Sequence, residues 1–281
     1  MCISWLLQLG LSRRQSLPIS CSLTMANAIP PNNTRLLLMI DFDHTIIHDN
    51  SDLWIRRLLP EHKVPDEIQQ SYKHHESWNQ FMGEIFTHMH SLGVTPAQVV
   101  DCMHTMTFVP GMVELIEYQR TNAVMDCIVV SDSNSVFINT ILDSKDLLSS
   151  VTSVFTNPAE FDSKGCLRLR PYHQHNCKTC PSNLCKGAVL RTYLEQQEKQ
   201  GVTYSRIFLV GDGSNDFCPV PGLGVDDIVF PRQGYRLIRK IQKLLEKGEE
   251  QGEDTLKATV FPWDNGFRIL EFLLKSTGDK C

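Results

Sequence analysis

The stretch LLLMIDFDHTIIHDNSD, residues 36–52, poses the question on which the fold turns. Five apolar residues run directly into Asp41 and Asp43, two acids separated only by Phe42. A continuous apolar run of this kind reads as a strand buried on both faces. Carboxylates at the end of such a strand repel one another and lose hydration, so as anions they require a positive partner.

Working outward, comparable runs recur: DCIVVS at 126–131, SVFT at 153–156, RIFLVGD at 206–212 and DDIVF at 226–230. Between them GMVELIEYQRT (111–121) and KGAVLRTYLEQQEKQ (186–200) carry apolar residues at helical spacing. The alternation predicts an α/β fold, a doubly wound parallel sheet with helices on both faces. Ligands of such sheets bind beyond the carboxyl ends of the strands, where Asp41, Ser131 and Asp212 all fall. Residues 51–107 break the pattern. SDLWIRRLLP, DEIQQSYKHHESWNQFMGEIFTHMH and TPAQVVDCMHTM are helical with no strand between them. They are expected to form an all-helical cap, with Ser51 and Thr95 as N-caps and Pro96 at a first helical position. The expected division is a leader at 1–35, a core made of 36–50 and 108–281, and the cap at 51–107. The tract EKGEEQGEDTLK (246–257) reads as a solvated loop or a frayed helix end.

With 281 residues, 42% hydrophobic and 21% charged, the composition is that of a globular protein. A net charge of −5 and the lack of a basic block argue against nucleic acid as a partner. No apolar run approaches the ~18 residues that cross a bilayer. The first 35 residues contain Arg13, Arg14 and Arg35 among serines and no acid. That composition is compatible with a mitochondrial transit peptide. The plainer reading, an extension or alternative start with Met25 as a second initiator, is favoured and leaves the cytoplasm as the expected location. The sequence carries no reading of oligomeric state.

A second acid pair, Asp212 and Asp216, follows an apolar run in LVGDGSND. Several carboxylates meeting at one point suit Mg²⁺, which takes few protein oxygens and keeps water and substrate phosphate as its other ligands. Asp41 is then the candidate nucleophile toward a phosphate monoester, forming an aspartyl phosphate. Asp43 is the candidate acid that protonates the leaving alcohol and the base that later activates water. Ser131 offers a hydroxyl to the phosphate, and Lys186 an ammonium at a helix start. Singly, each acid would be an ordinary turn residue after a strand.

DFDHT, the serine of VVSDSN, Lys186 and GDGSND resemble, in order, the four motifs of the haloacid dehalogenase superfamily of phosphatases. Longer strings, DFDHTIIHDNSDLWI, FVPGMVEL, SDSNSVFI, YHQHNCKTCPSNLCK and VGDGSNDFCP, resemble its PHOSPHO group across about residues 36–275. That group contains pyridoxal-phosphate phosphatase and phosphoethanolamine/phosphocholine phosphatase. The resemblance implies Asp41 as nucleophile, Asp43 as acid/base with its carbonyl on Mg²⁺, Asp212 as a further metal ligand and Asp216 as holder of a metal-bound water. It implies substrate contacts for Asp52 and Asp132. His44 and His48 depart from the group, which usually carries Glu, Asn or Lys at the first position and an acid at the second. TII, DLWI, GMVEL and SDSNSVFI look closer to the pyridoxal-phosphate branch, whereas DFCP and FPRQGY look closer to the other. A phosphotransferase or mutase, or a catalytically silent binding protein, are the rival classes. The complete set Asp41, Asp43, Ser131, Lys186 and Asp212 argues against the silent one.

Three features stand outside this set. His173, His175, Cys177, Cys180 and Cys185 have residue types that suit tetrahedral Zn²⁺; reduced packed thiols or a disulfide are the alternatives. Trp54, Tyr72, Trp78, Phe81 and Phe86 read first as the cap's core and second as an aromatic wall for a leaving group. Histidines 74, 75, 88, 90 and 104 read as solvated faces of the cap.

Overall fold

The structure, a computed structural model, describes residues 34–74, 77–251 and 256–277. The expectations placed on residues 1–33, on His75 and on residues 252–255 lie outside these. Six strands make one sheet: β1 (Thr34–Ile40), β2 (Met125–Asn134), β3 (Ser153–Asn157), β6 (Thr203–Gly211), β7 (Ile228–Pro231) and β8 (Thr259–Val260). Their order is β3-β2-β1-β6-β7-β8, every pairing parallel. A separate antiparallel hairpin joins β4 (Ala159–Phe161) to β5 (Leu167–Leu169). The doubly wound α/β expectation therefore matches the observed sheet.

The apolar run of β1 explains its central place. Leu38 and Ile40 enter one apolar cluster, and Leu37 and Met39 enter the other on the opposite face. Successive side chains of a strand point to opposite faces, so only an unbroken apolar run satisfies a sheet covered on both sides. Each such fully buried side chain contributes roughly 1.5–3 kcal/mol. The first cluster contains residues of α5 (Met112–Thr121), α6 (Ser135–Asp143) and α9 (Gly266–Thr277). The second contains residues of α7 (Lys186–Lys199) and α8 (Arg236–Gln251). β1 starts at Thr34, two residues before the expected edge of the core. Arg35 is held there by Asp126 of β2 in two 2.7 Å hydrogen bonds, and Tyr204 of β6 donates to the same carboxylate at 2.7 Å.

Between β1 and α5 the described chain is helical: α1 (Ser51–Trp54), α2 (Asp66–Ser71), α3 (Trp78–Ser91) and α4 (Pro96–His104), with short 3₁₀ turns. Asn50, not Ser51, caps α1: its side chain accepts from Leu53 N at 3.0 Å, while Ser51 is drawn to Asp43. Thr95 caps α4 in a capping box with Gln98, and Pro96 opens that helix. The helical stretch leaves and rejoins the sheet at one place. Ile47 pairs with Phe108, and Val109 N donates to Ile46 O at 3.0 Å. The tract at 246–251 continues α8 rather than forming a loop. Among the described residues no helix is long and apolar enough to cross a membrane.

The strand order puts a crevice next to β1. The chain steps from β1 to β2 on one side and crosses to β6 on the other, so connections diverge at β1 and β6. In parallel sheets this divergence opens a crevice at the carboxyl ends.

Candidate active site

Asp41 follows the last residue of β1 and Asp212 the last of β6. The register pairs Ile40 with both Val129 and Val210, so Asp41, Ser131 and Asp212 emerge at one edge. Asp41 N donates to Val210 O at 3.0 Å, fixing the nucleophile candidate to β6. Phe42 O then accepts from the N–H groups of Thr45, Ile46 and Ile47 at 3.2, 2.8 and 3.1 Å, turning the chain sharply. His44 takes a left-handed conformation in this turn (φ 56°), an uncommon state in which Asn, Asp and His are over-represented. Its carbonyl accepts from Arg232, and its ring stands 5.7 Å from Tyr235. His48 is exposed, 3.6 Å from Asp49.

One buried ammonium organises the acids. Lys186 Nζ donates to Asp41 Oδ1 at 2.5 Å and to Asp216 Oδ1 at 2.7 Å, with no exposure of its own. Asp216 Oδ2 accepts from the N–H groups of Asp212 and Gly213 at 3.0 and 2.7 Å, closing the loop after β6. That closure requires Gly211, where a Cβ would sit 2.4 Å from Asp216 Cγ. Thr45 Oγ1 donates to Asp212 Oδ1 at 3.4 Å. Carboxylate oxygens of Asp41, Asp212 and Asp216 lie within 4.8 Å of one another, all three buried. Burial and the neighbouring Asp216 push Asp212 up to about 7. Burial, then Asp216, raise Asp41 well above the carboxylate range despite Lys186. Burial works against the charge of Lys186, but Asp216 and Asp41 outweigh it and raise its pKa. Three buried carboxylates against one lysine leave an excess of negative charge on hard oxygens. Such a donor set fits a divalent cation.

Asp43 is held apart from this cluster. Its Oδ1 accepts from Ser51 N at 3.0 Å, and its Oδ2 from Asn50 Nδ2 at 3.0 Å and Ser51 Oγ at 3.1 Å. Ser51 Oγ lies 2.7 Å from Ser133 Oγ, linking the first helical turn after β1 to the end of β2. Burial, then the charge of Asp52, raise Asp43 well above its ordinary value. A carboxyl biased toward its neutral form beside an ionic cluster is suited to donating a proton. Ser131 is fully buried, and its Oγ accepts from Ser133 N at 3.2 Å.

The acids open into a cleft of about 710 Å³ that includes Asp41, Asp43, His44, Asp132 and Asp212. It shares Asp43, Asn50, Asp132 and Pro181 with a second cleft of about 610 Å³ lined by Asp52, Tyr72, Trp78 and Asn183. A larger groove between α3 and β5 carries none of these acids. The aromatic residues of the helical stretch divide. Phe81 and Phe86 are core, Trp54 donates to Thr105 at 3.0 Å, and Tyr72 and Trp78 face the cleft. Trp78 Nε1 donates to Asp52 Oδ2 at 2.6 Å, while Asp52 Oδ1 is buried without a hydrogen-bond partner. Burial pushes Asp52 up to about 7. Of the histidines in this stretch, His104 is exposed and His88 and His90 are half-buried.

Residues 36–277 match the family described as "Putative Phosphatase". The chain belongs to that family. It is 43% identical over 240 residues to "Pyridoxal phosphate phosphatase PHOSPHO2" of Bos taurus, covering 85% of this chain and 97% of that protein. The human protein of the same name is 41% identical over 245 residues, covering 86% and 99%. "Phosphoethanolamine/phosphocholine phosphatase" of Gallus gallus is 34% identical over 258 residues, covering 92% and 93%. The fold is similar to that of a solved structure titled "Phospho-Aspartyl Intermediate Analogue of Phosphoserine phosphatase". The TM-score is 0.52 at 19% identity, covering 85% of this chain and 99% of that one. A substrate-bound phosphoserine phosphatase gives a TM-score of 0.53 at 18% identity, covering 86% and 99%. The chain shares its fold with these phosphoserine phosphatases, and its family membership makes it a phosphoric monoester hydrolase.

The site differs from the sequence reading in one grouping. His173 and His175 do not join the thiols of Cys177, Cys180 and Cys185. His173 Nε2 accepts from Cys185 N at 3.0 Å, and His175 is engaged with Pro181 O at 2.8 Å and with Cys177 N at 3.2 Å. The sulfur of Cys218 lies with the three thiols instead. The signal was present in GDGSNDFCP, two residues after Asp216, but a gap of 33 residues from Cys185 hid it. Asn50 and Ser51, which bond Asp43, and Ser133, which bonds Ser51, carried no sequence signal for that role.

Proposed function

We propose that the chain is a Mg²⁺-dependent pyridoxal 5′-phosphate phosphatase working through a phosphorylated Asp41. The observation that carries the reading is the pairing of Lys186 with Asp41 and Asp216, beside Asp212 and away from the separately bonded Asp43. Asp41, Asp212 and Asp216, with the Asp43 carbonyl, would hold Mg²⁺ directly or through water, which when bound supplies Lewis-acid polarisation of the phosphoryl oxygens.

The chain's own groups account for the two half-reactions. An Asp41 oxygen forms a bond to phosphorus as the bond to the leaving alcohol breaks, and Asp43 gives its proton to that oxygen. Lys186 and the Ser131 hydroxyl neutralise and orient the remaining phosphoryl oxygens. Water then attacks phosphorus, its proton passes to the Asp43 carboxylate, and the Asp41–phosphorus bond breaks. The helical stretch at 51–107 acts as a cap that narrows access of bulk water and contacts the leaving group.

Support for the pyridoxal group comes from the cleft and the relatives. Trp78 and Tyr72 offer aromatic faces to a pyridine ring, and Asn50 and Asn183 line the same cleft as polar partners for its substituents. Relatives above 40% identity carry that activity in their names. A second reading, phosphoethanolamine or phosphocholine, draws on the same cleft, since Asp52, Asp132 and an indole face also suit an ammonium. Steady-state comparison of the three esters with Mg²⁺ decides between them. The highest kcat/KM is expected for pyridoxal 5′-phosphate; a clear preference for phosphoethanolamine or phosphocholine overturns the choice.

A further inference from the structure

Behind Lys186 lies a group of side chains that the phosphatase reading does not use. Sulfur atoms of Cys177, Cys180, Cys185 and Cys218 all lie within 4.8 Å of one another. Cys177 and Cys185 stand 3.6 and 3.7 Å from Cys218. None of the four is in a disulfide. A tetrahedron of thiolates around zinc, with zinc–sulfur bonds near 2.3 Å, has sulfur–sulfur edges of about 3.8 Å. A disulfide would need roughly 2.05 Å. The observed spacings therefore match the edges of a metal-centred tetrahedron.

Burial raises the thiols of Cys180 and Cys185, as expected of metal-free sulfurs packed together, and three geometric features fit a cluster of ligands at this point. Ala188 N donates to Cys185 Sγ at 3.4 Å, at the positive end of α7. Thr179 Oγ1 stands 3.1 Å from Cys177 Sγ, and the N–H groups of Thr179 and Cys180 also point at that sulfur. Backbone folded over the first sulfur of a Cys-x-x-Cys pair stabilises its anion. Residue 187 must be glycine for Cys218 to approach, because a Cβ there would lie 2.8 Å from its sulfur.

We propose that Cys177, Cys180, Cys185 and Cys218 form a structural zinc site, distinct from the carboxylate cluster. The site joins the Cys-x-x-Cys loop and the adjoining start of α7 to the loop after β6, which lies 33 residues further along the chain. Cys185 immediately precedes Lys186, and Cys218 follows Asp216 by two residues. One ion would thus tie together the two segments whose side chains meet in the 2.7 Å pair of Lys186 and Asp216. The proposal stands on the thiols alone and does not depend on the phosphatase reading.

The test is metal content and spectroscopy of the full chain, with zinc and cobalt as probes. Wild-type protein purified without chelator should retain about one zinc per chain through gel filtration. Replacement by Co²⁺ should give thiolate-to-cobalt charge-transfer bands and the intense visible bands of a tetrahedral sulfur environment, which carboxylates do not produce. Cys218→Ser should lower zinc retention against a competing chelator by at least about tenfold. Asp212→Asn and Cys102→Ser should leave it unchanged. If Cys218→Ser does not fold, the wild-type stoichiometry and cobalt spectrum still decide. Wild-type protein without zinc, with all four native thiols rapidly alkylated or paired as disulfides, overturns the proposal. Cobalt spectra lacking thiolate bands overturn it too.

Discussion

Lys186 and Asp41 form a buried ion pair at 2.5 Å, with the lysine wholly enclosed and also 2.7 Å from Asp216. Removing the ammonium strands two carboxylates in a poorly hydrated space. Lys186→Met keeps much of the volume and loses the charge. Denaturant unfolding should show a loss of roughly 3–5 kcal/mol, the usual result of deleting one partner of a buried pair. The kcat/KM of the folded fraction should fall by ~10²–10³, as for a lost oxyanion donor. Near-wild-type turnover would remove Lys186 from the phosphate site.

Asp43 is separated from the ionic cluster by its bonds to Ser51 and Asn50, and burial favours its neutral form. Asp43→Asn retains the shape but can neither give nor take the proton, so turnover should drop by ~10²–10⁴. With a leaving group that needs no proton, such as p-nitrophenolate, phosphorylation should be less impaired than hydrolysis. Rapid-quench mass measurement should then find phosphoenzyme accumulating. Equal impairment for both kinds of ester, with no accumulation, would argue that Asp43 is only a positioning residue.

Asp52 provides a stability test with a defined sign. Burial raises its pKa to about 7, so the folded state holds its proton more tightly than the unfolded state does. Stability associated with this proton is fully present below the unfolded value near 3.8 and is lost as pH rises through about 7. The stability of Asp52→Asn relative to wild type should therefore rise between pH 5 and 8, by a few kcal/mol at most. Parallel melting profiles for the two proteins across that range would contradict the assignment.

Burial and Asp216 push Asp212 up to about 7, and burial with Asp216 lifts Asp41 well above its ordinary range. Protons and Mg²⁺ should compete for the same oxygens. Calorimetric titration should show weaker Mg²⁺ binding below pH 7, by ~10-fold per pH unit for each proton displaced, with proton release. Asp212→Asn should bind Mg²⁺ more weakly and with a shallower pH dependence. Affinity that does not change between pH 6 and 8 would place the ion elsewhere.

The central fold was legible because its strands are buried on both faces. LLLMI, CIVVS and IFLVG could not form amphipathic strands, and their polar terminators marked the carboxyl edge where Asp41, Ser131 and Asp212 emerge. β8 is only two residues long, and the β4–β5 hairpin uses three-residue strands, too short for a pattern. The N-cap of α1 fell to Asn50 because a tertiary contact with Asp43 claims Ser51. Trp78 and Asp52 lie 26 positions apart, so their 2.6 Å bond had no local signature. The sulfur cluster shows the same limit: Cys-x-x-Cys was visible, but the adjoining histidines turn their ring nitrogens to backbone and a remote cysteine replaces them.

The most direct measurement is where phosphate resides during turnover. Wild-type protein mixed with pyridoxal 5′-phosphate and Mg²⁺, then quenched in acid, should carry one phosphoryl group on the peptide containing Asp41. Asp41→Asn should carry none and turn over no substrate. A phosphoryl group on another residue, or turnover by Asp41→Asn at a wild-type rate, would contradict the account.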